Sequence, residues 1–86
     1  MVERSLRIEL AQGLAARPAA EFVKLASSYA SSVRLGKNGQ FIDAKSILGV
    51  MSMALSHGDE VTLQVDGSDE QEAVAKLSAF LGESVQ

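Results

Sequence analysis

A chain of 86 residues, 47% hydrophobic and 22% charged with both signs scattered along it, has the material for one small core over residues 1–86; this excludes two domains and a disordered polymer. The absence of cysteine removes disulfides, thiol nucleophiles and cysteine metal sites, and is compatible with a reducing compartment. A net charge of −3 excludes a general affinity for nucleic acid or anionic lipid, and with no long apolar run for a signal peptide or membrane span the cytoplasm is the expected setting.

Val2, Leu6, Ile8 and Leu10 alternate with Glu3, Ser5, Arg7 and Glu9, a period of two that predicts a first strand with one buried face. The stretch from Gln12 to Arg17 breaks the pattern, and Pro18 suits the first turn of a helix, where its missing N–H costs nothing. Ala19, Phe22, Val23, Ala26 and Ala30 then fall three or four apart, predicting an amphipathic helix that ends near Ser27-Ser28-Tyr29. Short extended runs at Val33 and Leu35 and at Phe41 flank Lys37-Asn38-Gly39-Gln40, and Asn-Gly between such runs predicts an antiparallel hairpin.

Ser46 stands immediately before Ile47, Leu48, Met51 and Leu55, which recur at helical spacing toward a stop expected at His57-Gly58. The serine reads as a helix N-cap, and the same unpaired N–H groups and dipole favour an anion such as phosphate. The apolar side chains exceed what one core-facing stripe needs, so some are expected to face a partner. Val61, Leu63 and Val65 alternate with Thr62, Gln64 and Asp66 as a fourth strand, which Gly67 turns. Ser68 and Gln71 make a capping box for a last helix with Asp69, Glu70 and Glu72 at its head and Ala73, Val74, Leu77, Phe80 and Leu81 as its apolar face. The tail from Gly82 to Gln86 is expected to fray. The order βαββαβα means α+β with helices on one face of a small sheet; a ferredoxin-like arrangement fits the same string.

Little else in the chain carries chemistry. His57, the single histidine, is explained by the dipole at the expected helix end better than as a phosphate acceptor. One histidine and scattered carboxylates give no metal-ligand set, and no cofactor motif is present. Met51 suits an exposed patch and Met53 plain packing.

Two segments together, Gly13-Leu14-Ala15-Ala16-Arg17-Pro18-Ala19-Ala20 and Lys45-Ser46-Ile47-Leu48-Gly49-Val50-Met51-Ser52, resemble the HPr family, the small phosphocarriers of the bacterial sugar phosphotransferase system. The likeness covers essentially the whole chain. It implies an open-faced β-sandwich, three helices on one face of a four-stranded antiparallel sheet in order 1-4-2-3, and displaces the ferredoxin-like alternative. The family's first motif places after Gly-Leu a histidine that accepts phosphate from phosphoenolpyruvate through enzyme I; here Ala15 offers no nucleophilic atom, so that relay is excluded. Arg17 can steady an anion but cannot carry one.

The second motif is intact, and the resemblance implies that Ser46 is the serine phosphorylated in Gram-positive bacteria by the ATP-dependent HPr kinase/phosphorylase. With no nucleotide-binding loop of its own, the chain is expected to be a kinase substrate and not an enzyme. Within the family it is most like the catabolite repression HPr-like lineage, which lacks the histidine and keeps the serine. That likeness implies a phosphoserine form that binds catabolite control protein A as corepressor, with Arg17, Ile47, Leu48 and Met51 as contact residues and no direct role for nucleic acid or membrane. The competing reading is an ordinary phosphocarrier whose histidine has been engineered to Ala15. A monomer is expected, in exchange with a homodimer if the loop Ala11 to Leu14, containing Gly13, acts as a hinge for the first strand.

Overall fold

Strand β4 (Glu60–Asp66) lies inside the sheet, because its alternating Val61, Leu63 and Val65 are buried and it finds a neighbour on both sides. On one side it pairs with β1 (Val2–Arg7) and on the other with β2 (Ser32–Lys37), both antiparallel, so that Val65 stands opposite Val2 and Val33 at once. β3 (Gln40–Asp43) pairs with β2 and completes a four-stranded sheet in the order β1-β4-β2-β3. Between β2 and β3, Asn38 and Gly39 both have positive φ, 55° and 83°, the two left-handed residues that a type I′ hairpin needs to match strand twist. The computed structural model describes residues 1–11 and 13–82.

Helices α1 (Ala16–Ser27), α2 (Ile47–Ser52) and α3 (Glu70–Leu81) complete the molecule. Phe22 of α1 and Leu77 and Leu81 of α3 are fully buried on Leu35, Leu63 and Val65 of the sheet, each burial contributing about 1.5–3 kcal/mol. Phe22 also meets Phe80 with ring centroids 6.0 Å apart. The fold is the open-faced α+β arrangement expected from the sequence, in the expected strand order.

Four local expectations are corrected. Strand pairing stops at Arg7, although Ile8 remains buried: its N–H and carbonyl are taken by Asp59 O at 2.8 Å and Gly58 N at 2.7 Å, outside the ladder. Ala30 lies past the end of α1, its N–H bonded to Asp69 at 2.8 Å. The second helix ends at Ser52 and not near His57, because Leu55 is drawn into the core from a loop that Ala54 enters with φ 50°, and its carbonyl accepts the Leu14 N–H at 3.0 Å. Helical spacing of Leu55 was therefore coincidental, and His57 and Gly58 sit in a separate turn. The Ser68–Gln71 capping box does not form; Asp69 is the N-cap residue, and Glu70 reaches back to the Gly67 N–H at 3.1 Å. The expected fraying falls mainly on residues 83–86, which lie outside the described residues.

Candidate functional site

Ser46 adopts an extended conformation (φ −105°, ψ 115°) at the head of α2, and its Oγ accepts the Gly49 N–H at 3.1 Å. This is the N-cap geometry the sequence calls for. The approach is built by Asp43, whose carboxylate accepts the Lys45 N–H at 2.9 Å and whose carbonyl accepts the Ser46 N–H at 3.0 Å, a local turn that fixes the serine against the end of β3. Gly49 keeps the flank of the hydroxyl open: a Cβ there would lie 3.4 Å from Oγ.

Only Val50 of α2 is fully buried. Ile47, Leu48 and Met51 remain 37%, 78% and 44% exposed, a contiguous apolar surface because positions three and four apart share a helix face. Met53, half-buried, packs against the core as expected. Ser46 thus joins a modifiable hydroxyl to an unburied apolar patch on one short element.

Ala15 is the exposed N-cap position of α1 and offers no side-chain cap, only its carbonyl to the Ala19 N–H at 2.8 Å. Arg17 is exposed in the first turn of the same helix, which packs beside α2. The structure places Arg17 on the neighbouring element without bonding it to Ser46. His57 is apart from all of these; its Nε2 lies 3.9 Å from Glu9 Oε1. Among the described residues no three His, Asp or Glu side chains gather to hold a metal, and no helix is long and apolar enough to cross a membrane.

Two supports of the site were not visible in the sequence. Lys45, next to the serine, extends its Nζ to the Tyr29 carbonyl at 2.9 Å, just beyond the end of α1, where a cation is favoured by the dipole. Tyr29 O is in turn followed by Ala30 and Ser31, whose N–H groups bond the Asp69 carboxylate at 2.8 and 2.9 Å, with the Ser31 hydroxyl added at 2.5 Å. The Ser31 hydroxyl and the Ala30 N–H hold Asp69 below the ordinary carboxylate range. Asp59 is lowered in the same way, first by the Ser56 N–H and then by Lys37, whose Nζ is 2.9 Å away. The Lys45–Tyr29 and Asp69–Ser31 bonds join residues 16 and 38 positions apart, so no local motif announces them.

A family model described as the PTS HPr component phosphorylation site matches residues 2–83. HPr-like protein Crh of Bacillus subtilis (strain 168) is 51% identical over 85 residues, which cover 99% of this chain and 100% of that protein. The phosphocarrier protein HPr of Bacillus anthracis str. Ames superposes with a TM-score of 0.91 at 39% identity, over 93% of this chain and 95% of its own. The crystal structure of Bacillus subtilis Crh, described as a dimer with a swapping domain, superposes with a TM-score of 0.75 at 51% identity, over 94% and 93%. Sequence and backbone agree from β1 through α3, and the chain belongs to the HPr family.

Proposed function

We propose that this chain is a regulatory HPr-like protein of carbon catabolite repression, acting in the cytoplasm: HPr kinase/phosphorylase phosphorylates Ser46, and the phosphorylated form is a corepressor of catabolite control protein A. The reading rests on one juxtaposition, a capping serine hydroxyl beside exposed Ile47, Leu48 and Met51 in a chain with alanine at position 15. The identity to Crh supports it. Phosphorylation adds about 1.5 to 2 negative charges at the head of α2 and three strong acceptors for basic partner side chains. Three apolar side chains cover far less than the roughly 800 Å² per partner of a stable interface, so the charge-assisted bonds decide whether docking occurs. Arg17, on the helix packed beside α2, adds a cationic contact at the rim.

The test is the intact mass and phosphosite map after incubation with HPr kinase/phosphorylase and ATP, followed by binding to catabolite control protein A. One added phosphate confined to Ser46, with binding gained only by that form, is the expected outcome. Ser46→Ala is expected to take no phosphate, to gain no binding, and to lose about 1 kcal/mol of stability from the cap. Binding of Ser46→Ala equal to that of the phosphorylated chain would sink the proposal.

Exchange of β1 between two copies is a second reading with its own support. Among the described residues β1 is an edge strand paired with β4, Gly13 follows it at φ 62°, and the Crh crystal structure is described as swapped. Within one chain β1 closes on its own β4; an exchanged homodimer would reuse the same β1–β4 pairing across two chains.

A further inference from the structure

With no cysteine in the chain, its sulfur resides in three methionines, at positions 1, 51 and 53. Met1, 68% exposed, precedes β1 with its amino group beside Asp66 and Glu70 and lies outside the α2 surface, and Met53 is half-buried against the core. Met51 differs from both. The residue is 44% exposed, unlike Met53, and sits one turn beyond exposed Ile47 and Leu48, unlike Met1, so its side chain joins the apolar patch beside Ser46 and is reached by small solutes.

We propose that Met51 is an oxidation site that gates this surface, a reading that rests on the docking role of α2 given above. A hydroperoxide is the oxidant. The Met51 Sδ lone pair attacks the peroxide oxygen, an S–O bond forms as the O–O bond breaks, and the leaving oxygen takes a proton to give water or an alcohol; sulfur loses two electrons and the peroxide gains them. The sulfoxide is a polar acceptor in a face otherwise made of aliphatic side chains. Pressed against a partner without a donor to meet it, that group weakens docking on the order of tenfold.

The experiment treats the phosphorylated full chain with graded hydrogen peroxide and follows three readouts: peptide mass mapping, retention of the native protein on a phenyl resin, and affinity for catabolite control protein A. Met51 is expected to oxidise ahead of Met53, retention to fall as Met51 sulfoxide accumulates, and affinity to drop on the order of tenfold and recover with methionine sulfoxide reductase and a thiol. In Met51→Leu the ratio of affinities before and after peroxide is expected to stay at about one whatever its starting value, whereas Met53→Leu keeps the sensitivity. Earlier oxidation of Met53, unchanged retention at full Met51 conversion, or a peroxide-sensitive Met51→Leu would overturn the proposal. If the unoxidised phosphoprotein fails to bind the transcription factor, the docking role is what fails, and the mass map and retention still decide whether oxidation at Met51 alters this face.

Discussion

Among the described residues, the Ser78 hydroxyl is the buried side-chain polar atom without a hydrogen-bond partner, in a helix whose other inward side chains are apolar. A desolvated, unsatisfied hydroxyl is a cost with no return, and alanine is also the better helix former. Ser78→Ala is therefore expected to stabilise the protein by about 1 kcal/mol, read as a higher urea midpoint at unchanged m. Asp59 and Asp69 act in the opposite direction. Both carboxylates are held below the ordinary aspartate range near about 4, Asp59 first by the Ser56 N–H and Asp69 first by the Ser31 hydroxyl. Their stabilisation is complete above that range and is lost as pH falls through the lowered folded-state values, because in that window the unfolded chain binds more protons than the folded one. Urea midpoints at pH 7 and pH 3 check it: the drop is expected to be smaller in an Asp59→Asn, Asp69→Asn double variant than in the parent.

At the scale of the element, α2 is six residues long and carries a glycine, so tertiary contact and its cap hold it more than propensity does. Gly49→Ala is expected to raise stability by up to about 1 kcal/mol, since the new Cβ would lie in ordinary contact 3.4 Å from Ser46 Oγ and 3.6 Å from the Asp43 carbonyl. The same methyl fills the open flank of the hydroxyl, so phosphate uptake at Ser46 is expected to slow; urea unfolding and a timed mass assay separate the two effects. α2 also marks how far sequence reaches. Its start was legible because an N-cap is a local device, a serine and the backbone three residues on. Its end was not, because Leu55 keeps helical spacing in the sequence while its burial is decided by the loop at Gly13 and Leu14. Strands β1 and β4 were legible from alternation, and β2, β3 and the turn between them from short extended runs flanking Asn38-Gly39, for the same local reason. Strand order came only from the resemblance to a family. The Lys45–Tyr29 and Asp69–Ser31 bonds, which fix the ground beneath the serine, required the chain to be folded before they existed.

For the whole molecule, the proposed exchange of β1 between two copies turns on residue 13. Gly13 has φ 62°, and a Cβ there would run into the Leu55 carbonyl, so the closed loop admits no side chain without strain. Gly13→Ala is expected to penalise the closed form and raise the dimer association constant on the order of tenfold, measured by sedimentation across a concentration series. A mass that stays monomeric at every concentration in both proteins would remove the exchange reading. The same sheet order has a bearing on how the chain is made. β1 leaves the ribosome well before β4, its sheet neighbour among the described residues: Ser5 meets Thr62, 57 positions on. At about 5–20 residues per second, the first strand waits roughly 3 to 11 s for its mate. During translation, then, the amino-terminal strand is an unclaimed ribbon, and a polysome that holds neighbouring nascent chains close gives it a choice of mates that dilute refolding in a test tube does not.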